Sequence, residues 1–363
     1  MSETIVVGMS GGVDSSVAAA LLVEAGDRVI GVTLRIWPWE ESKDPARRFG
    51  SCCSPEAVDD ARRVARQLGI PYYLLNSESE FDSTVIADFT HEYLRARTPT
   101  PCVVCNRSVK FGSLLQRARA WEAAAVATGH YARLRRDGAT GRICLFKGRD
   151  PQKDQSYFLW PLTQDQLEGS RFPVGGMRKE EVRERARALG LSVADKPESQ
   201  EICFIPDNDY RGFLRRRAAH AFSPGPIVDR SGRALGQHQG LANYTIGQRK
   251  GLGLSVGKPL YVVALDPEQN AVVVGEEVDL EASRLVASQV NFIAFEELTA
   301  PVRVEAKIRS THSGAAATVY PCDDGTVEVV FENPQRAITP GQSVVFYQGE
   351  QVIGGGVITA PRA

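Results

Sequence analysis

The sequence is poor in the features that would place it in a membrane or outside a cell. No apolar run approaches the roughly 20 residues needed to cross a bilayer, although 43% of the 363 residues are hydrophobic. The N-terminus enters an apolar strand pattern at once, with no basic leader or small-residue cleavage site, so no signal peptide is expected. Seven cysteines, an odd number in a long chain, argue against a disulfide framework. Histidine is scarce: five residues are dispersed along the chain, and no complete four-ligand zinc set is evident. Together these absences lead to the expectation of a cytoplasmic protein without a membrane partner. Two nucleotide signatures are also missing. No Gly-Lys-Ser/Thr follows the glycine-rich stretch near the N-terminus, which excludes a Walker A loop, and that stretch is not a GxGxxG dinucleotide fingerprint.

Net charge is almost absent, at −1, but its distribution is uneven. Between Asn208 and Lys258 stand Arg211, Arg215, Arg216, Arg217, Arg230, Arg233, Arg249, Lys250 and Lys258, against only Asp209 and Asp229. A local excess of this kind in a neutral chain marks either a polyanion-binding face or a solvated basic surface.

Apolar runs and amphipathic stretches alternate through the first half. "TIVVG" (4–8) reads as a strand, "VDSSVAAALLVEAG" as a helix ending at Gly26, and "RVIGVTL" as the next strand. Ser54 as N-cap and Pro55 at the first helical position open a helix to Leu68, with Gly69 as its stop. "PYYLLN" is a third strand, a helix is expected over about 79–97, another from an Asn106 cap to about Trp121, and "AAAVATGHYA" is a fourth strand. This alternation predicts an α/β domain with a parallel sheet. Past residue 206 the chain is rich in Gly, Arg and Pro, and from Leu260 it reads as strands, with "DDGT" and "QGEQ" as hairpin turns. The expected domains are 1–206 (α/β), 207–280 (small and basic) and 281–363 (a β-barrel).

"GMSGGVDSS" (8–16) lies between the first strand and the first helix. Gly11 and Gly12 allow a tight turn and close approach of a ligand, the serines offer hydroxyls, and the helix N-terminus offers free N–H groups to an anion. Asp14 suits either a magnesium-holding or a loop-orienting role. The cysteines cluster as Cys52–Cys53 and Cys102–Cys105, with Cys144, Cys203 and Cys322 apart. The CxxC of "TPTPCVVCNRSVKFG" supplies two ligands of a four-ligand site, or a catalytic thiol. Cys105 precedes the expected helix start at Asn106, where the dipole, Arg107 and Lys110 would favour a thiolate, as a sulfur nucleophile requires. Cys203 is either its distant partner or a buried apolar cysteine.

The SGGxDS loop in its strand–loop–helix setting resembles the PP-loop ATP pyrophosphatases, which cleave ATP between the α and β phosphates. With "CNRSVKFG", "ATGHYARL", "KDQSYFLW", "DKPESQEICFIPD", "YTIGQRKGLGL" and "TPGQSVVFYQGEQVIGGGVI" in one order along nearly the whole chain, the sequence is similar to the bacterial tRNA 2-thiouridylase family. The resemblance implies a sulfurtransferase that uses ATP and Mg²⁺ to thiolate the wobble uridine of tRNAs of the Lys, Glu and Gln types. Gly8, Met9, Ser10, Gly11, Gly12, Val13, Asp14 and Ser15, with Leu34 and Gly129, would bind ATP. Cys203 would receive a persulfide from an upstream relay or cysteine desulfurase, and Cys105 would act as the nucleophile, leaving a Cys105–Cys203 disulfide. Thr100, Pro101 and Cys102 would meet the base; His130, Lys153, Asp154, Gln155, Arg309, Ser310 and Gln342 would contact tRNA. Thr100 stands where the family pattern carries Asn, and Ser310 where it carries Tyr. Three rival expectations accompany this one: a 4Fe–4S cluster on Cys102, Cys105 and Cys203 with sulfide as donor, a PP-loop ligase acting on a small molecule, and a non-catalytic, ATP-responsive RNA-binding module.

Overall fold

The computed structural model describes residues 2–38, 54–197, 202–205, 207–218, 222–255 and 257–362. Cys52 and Cys53 lie outside these residues. In the first half, β1 (Thr4–Gly8), β2 (Arg28–Arg35), β3 (Tyr72–Asn76) and β4 (Ala125–Ala127) are short apolar runs. β5 (Ala132–Arg136) and β6 (Ile143–Lys147) form an antiparallel hairpin, and β7 (Ser170–Arg171) is a two-residue strand. The first sheet has the order β3-β2-β1-β4-β7, and its pairs run parallel. Ile5, Val6 and Val7 are all buried, the continuous apolar reading of a strand covered on both faces.

Helix α1 (Val13–Glu24) is apolar nearly all round because it is enclosed. Val17, Ala18 and Ala19 share a core with Ile5 and Val7 of the sheet and with Val182 and Ala186 of the helix Lys179–Ala188. Helix α2 (Pro55–Gln67) is amphipathic, burying Ala57, Val58, Ala61, Val64 and Ala65. Its Ser54 cap accepts the Ala57 N–H at 3.2 Å, with Pro55 at the first helical position.

Two helices differ from the sequence expectation. The stretch expected as one helix over 79–97 is Glu78–Phe81, a π-helical turn Asp82–Ile86, and Ala87–Leu94. The helix expected to begin at Asn106 begins at Pro101. It runs Pro101–Val104, widens into a π-helix over Cys105–Ser113, and continues as Leu114–Ala120. Asn106 is no cap: its side chain is buried and its amide donates to the Phe158 carbonyl at 3.1 Å. A wide turn frees a carbonyl from the regular ladder, and here the Gln166 side chain donates to the Arg107 carbonyl at 2.8 Å.

The chain forms two compact units: Met1–Val85 with Cys102–Asn208 and Glu350–Val352, and Ile86–Pro101 with Asp209–Gly349 and Ile353–Ala363. Ile86–Pro101 goes with the second because its aromatic residues pack there. Phe89 meets Phe213 edge-on (6.1 Å), and Tyr93 stacks on Tyr210 (5.2 Å, 23°). In that unit β8 (Gly225–Asp229), β9 (Ala234–His238), β10 (Tyr261–Asp266) and β11 (Ala271–Gly275) form a sheet of order β10-β11-β8-β9 around Ile227, Val262, Val272 and Val274. β12 (Glu281–Phe292), β13 (Val302–Lys307), β14 (Ala315–Pro321), β15 (Val327–Arg336), β16 (Ser343–Gln348) and β17 (Gln351–Arg362) follow one another as β12-β15-β14-β13-β16-β17. β17 pairs back onto β12, so the barrel is closed and has no free edge. The expected α/β domain and C-terminal barrel are both present. Among the described residues no helix is long and apolar enough to cross a membrane.

Candidate active site

The order β3-β2-β1-β4 makes the chain switch sides between β1 and β4. In an open parallel sheet the carboxyl ends of the strands part at such a point and leave a crevice for a ligand. The phosphate loop leaves β1 there. Gly11 has φ 68°, and a β-carbon on it would stand 2.1 Å from the Ala57 carbonyl oxygen of α2. Gly129, just past β4, lies against the start of α1, where a β-carbon would stand 2.6 Å from Ser15 N and 2.8 Å from Asp14 Cβ. The two glycines therefore let three backbone segments converge on the helix entrance.

No side chain caps α1 at Gly12. Its first-turn N–H groups, which have no intrahelical partners, face the loop as an anion site. Ser15 and Ser16 both turn their hydroxyls onto the Gly12 carbonyl, at 3.2 and 2.9 Å, and the Ser15 oxygen also accepts the Ser10 N–H at 3.1 Å. Met9 is locked to β2: its N–H donates to Val32 O at 2.7 Å, and its carbonyl accepts the Thr33 hydroxyl at 2.6 Å. The loop is thus held in shape by its own hydrogen bonds. Val13 is buried beneath it, and Gly8 and Leu34 close β1 and β2 at the same carboxyl edge.

Asp14 is turned toward protein cations and donors. Lys179 Nζ lies 2.7 and 2.8 Å from its two carboxylate oxygens, and the Tyr131 hydroxyl donates to one of them at 2.7 Å. Tyr131 is in turn held by Gln155, whose side-chain oxygen accepts the Tyr131 N–H at 3.0 Å. Lys196 stands on the other side, donating to the Gly11 carbonyl at 3.0 Å and pairing with Asp60 at 2.7 Å. In this conformation Asp14 ties the loop to Lys179 and Tyr131. Neither Lys179 nor Lys196 was visible as a site residue in the sequence. Each lies more than 160 positions from the loop, and the only signal was the place of Lys196 in the "DKPESQ" motif.

The cysteines are distributed less simply. Cys102 is exposed, and Cys105 and Cys203 are half-buried. Because the helix begins at Pro101, Cys105 lies a full turn inside it, and the end-of-helix argument for a thiolate does not apply; the nearby cations Arg107 and Lys110 remain on its helix. Phe204, next to Cys203, packs edge-on against Phe81 (5.6 Å, 71°), whose short helix also adjoins the Cys105–Ser113 segment. The two cysteine-bearing segments therefore share a neighbour. Among the described residues no three His, Cys, Asp or Glu side chains are gathered as a metal site requires. The expected cluster of Cys102, Cys105 and Cys203 is not assembled.

The residues expected to meet RNA have varied surroundings. Pro101 is buried, and Thr100 keeps a buried hydroxyl without a hydrogen-bond partner. Gln342 donates to the carbonyls of Thr98 and Pro99, at 3.0 and 3.2 Å, and so fixes the segment leading into Thr100. Asp154 accepts from Gly148 N, Ser156 N and Ser156 Oγ, which closes its own turn; Lys153 lies beside it, half-buried. His130 is buried between Phe111 and Phe172 with Nδ1 2.6 Å from the Thr128 hydroxyl, and burial, aided by Lys110, pushes its pKa well below the ordinary imidazole value. Its ring is enclosed by these aromatic neighbours and is not exposed. Arg309 donates to the Arg336 carbonyl at 3.2 Å, and Ser310 is exposed.

Comparison with known proteins gives the family. A family model described as "tRNA methyl transferase HUP domain" matches residues 3–207, a "tRNA methyl transferase PRC-barrel domain" 211–276, and an "Aminomethyltransferase beta-barrel domain" 282–358. The chain is 56% identical over 360 residues to the tRNA-specific 2-thiouridylase MnmA of Heliobacterium modesticaldum, covering 99% of this chain and 93% of that one. It is 56% identical over 352 residues to that of Moorella thermoacetica (97% and 98% covered) and 52% identical over 356 residues to that of Acetivibrio thermocellus (98% and 99%). At such identity over nearly the full length, the chain belongs to the tRNA-specific 2-thiouridylase family of sulfurtransferases.

Proposed function

We propose that this enzyme uses ATP to replace the C2 oxygen of the wobble uridine in tRNA by sulfur. The observation that carries the reading is the backbone cradle at the switch point: an uncapped helix N-terminus, approached closely through Gly11 and Gly129, is built to take phosphate groups. A ring carbonyl oxygen leaves poorly, whereas AMP leaves well, so phosphate chemistry and thiolation belong together. The uridine O2 attacks the α-phosphate, pyrophosphate departs, and the adenylated base is open to sulfur at C2. Magnesium enters with the nucleotide's own phosphates.

Cys203 carries the terminal sulfur as a persulfide, delivered by an upstream desulfurase or relay protein. That sulfur bonds to C2 as AMP leaves; the Cys105 thiolate then attacks the inner sulfur of Cys203. The two cysteines end as a disulfide, the thiocarbonyl is released, and an external thiol supplies the two electrons that restore the pair. The target base must leave its stack to reach this site. The unpartnered Thr100 hydroxyl supports a hydrogen bond to that base, with Pro101 and Cys102 beside it. Lys153, Asp154, Gln155, Arg309, Ser310 and Gln342 serve the RNA side, Gln342 by holding the 98–99 segment, and His130 supports the site from its buried place beside Phe111 and Phe172.

The test is to incubate the protein with ATP, a persulfide donor and unmodified tRNA and to analyse the nucleosides by mass spectrometry. The expected product is 2-thiouridine at the wobble position, dependent on ATP. A folded, ATP-binding preparation that leaves the tRNA unthiolated overturns the reading.

A further inference from the structure

The basic excess between Asn208 and Lys258 is not one surface. Arg230 pairs with Asp279, Arg233 with Asp229 (3.1 Å), and Lys258 with Glu276 (2.5 Å). These three cations are neutralised at home. The helix Tyr210–Arg217 is different: Phe213 and Leu214 are buried, while Arg211, Arg215, Arg216 and Arg217 are all exposed. Among the described residues no carboxylate pairs with Arg211, Arg215 or Arg216.

Aromatic rings on both sides of this helix fix its position. Tyr210 stacks on Tyr93 and Phe213 meets Phe89, so the inner face is anchored. On the outer side the Arg211 guanidinium lies over Tyr210 (5.7 Å), and that of Arg215 over Phe222 (5.2 Å). A guanidinium laid on a ring loses some of its rotamer freedom in advance; Arg211 Nε donates to the Tyr210 hydroxyl at 3.4 Å, which leaves the two terminal NH2 groups as the outward fork. That fork matches the paired oxygens of a phosphate.

We infer that Arg211, Arg215 and Arg216 form an RNA-backbone contact, and that Arg230, Arg233 and Lys258 do not take part. This rests on the tRNA reading above and narrows it to one helix face. Contacts of this kind are sequence-independent, and each displaces counterions, so they appear in the salt dependence of binding. A structural role in the helix would leave that dependence unchanged.

The experiment measures the affinity of the full-length protein for an unmodified tRNA transcript across a salt series. The triple variant R211Q/R215Q/R216Q is compared with wild type, with R211K/R215K/R216K and with R230Q/R233Q. The expected result is a slope of log affinity against log salt lowered by about two to three units in the glutamine triple, near 0.7–0.9 per lost contact, and affinity reduced at least about tenfold. The lysine triple keeps most of the slope because it keeps the charge, and R230Q/R233Q keeps all of it. A glutamine triple with the wild-type slope and a wild-type melting temperature overturns the inference, as does an equal loss in R230Q/R233Q. Binding of an acidic protein partner instead of RNA would give the first of these outcomes. Failure of the inference is separable from failure of the function: wild-type thiolation with an unchanged slope in the triple sinks only the inference, whereas absent wild-type thiolation sinks the function.

Discussion

Asp14 is held from two directions: Lys179 spans both of its oxygens and Tyr131 donates to one. The Lys179 side chain is only 10% exposed and that of Asp14 30%, so removing either partner leaves a poorly solvated charge. Lys179→Met is expected to lower stability by about 1–3 kcal/mol and to raise the ATP KM at least about tenfold, with tRNA affinity unchanged; ATP titration with and without tRNA measures it. Gly129→Ala forces a methyl to within 2.6 Å of Ser15 N. Overpacking there costs about 1–3 kcal/mol, and nucleotide binding by calorimetry should be lost. Cys105→Ser and Cys203→Ser test the sulfur half of the proposed reaction. Each should abolish 2-thiouridine while leaving one turnover of tRNA-dependent pyrophosphate release; a thiolating Cys203→Ser enzyme would refute the persulfide route.

At the scale of elements, local signals were readable where backbone chemistry is local. Ser54-Pro55 specified the start of α2 because a serine oxygen and a proline ring act within one turn. Ser54→Ala should cost about 1 kcal/mol, visible as a urea midpoint below that of the wild type. The same logic failed at Asn106. Asparagine is a good cap in isolation, but the Phe158 carbonyl, 52 residues away, claims its amide, and Pro101 supplies the earlier start. The π-helical turns over 82–86 and 105–113 were equally hidden, since the Gln166 side chain that takes the freed Arg107 carbonyl comes from another element.

At the scale of the whole molecule, three histidines among the described residues are held below their ordinary pKa: His130 chiefly by burial, His238 by burial against a hydrogen bond to Asn270, and His312 by burial with Arg309 nearby. The unfolded chain therefore binds more protons than the folded one once pH falls below about 6.5. Stability from these groups is fully present above that value and declines as pH drops toward their folded-state values, by at most about 1.4 kcal/mol per pH unit for each. Urea unfolding at pH 7.5 and 5.5 should show a lower midpoint at 5.5, partly relieved in His238→Asn. Equal midpoints would contradict it.

The sequence by itself determined the parallel α/β domain, the phosphate loop, the strand-rich C-terminal region and the family, because periodicity, turn chemistry and motif order are properties of neighbouring residues. Tertiary structure alone decided what those residues face. It joined Lys179 and Lys196 to a loop far away in the chain, tied Asp14 to Lys179 and Tyr131, buried His130, and divided the basic stretch into paired and exposed cations. Charges and hydrogen-bond donors act through distances of a few ångströms in space, and one chain's spacing does not record which distant residue will fill them.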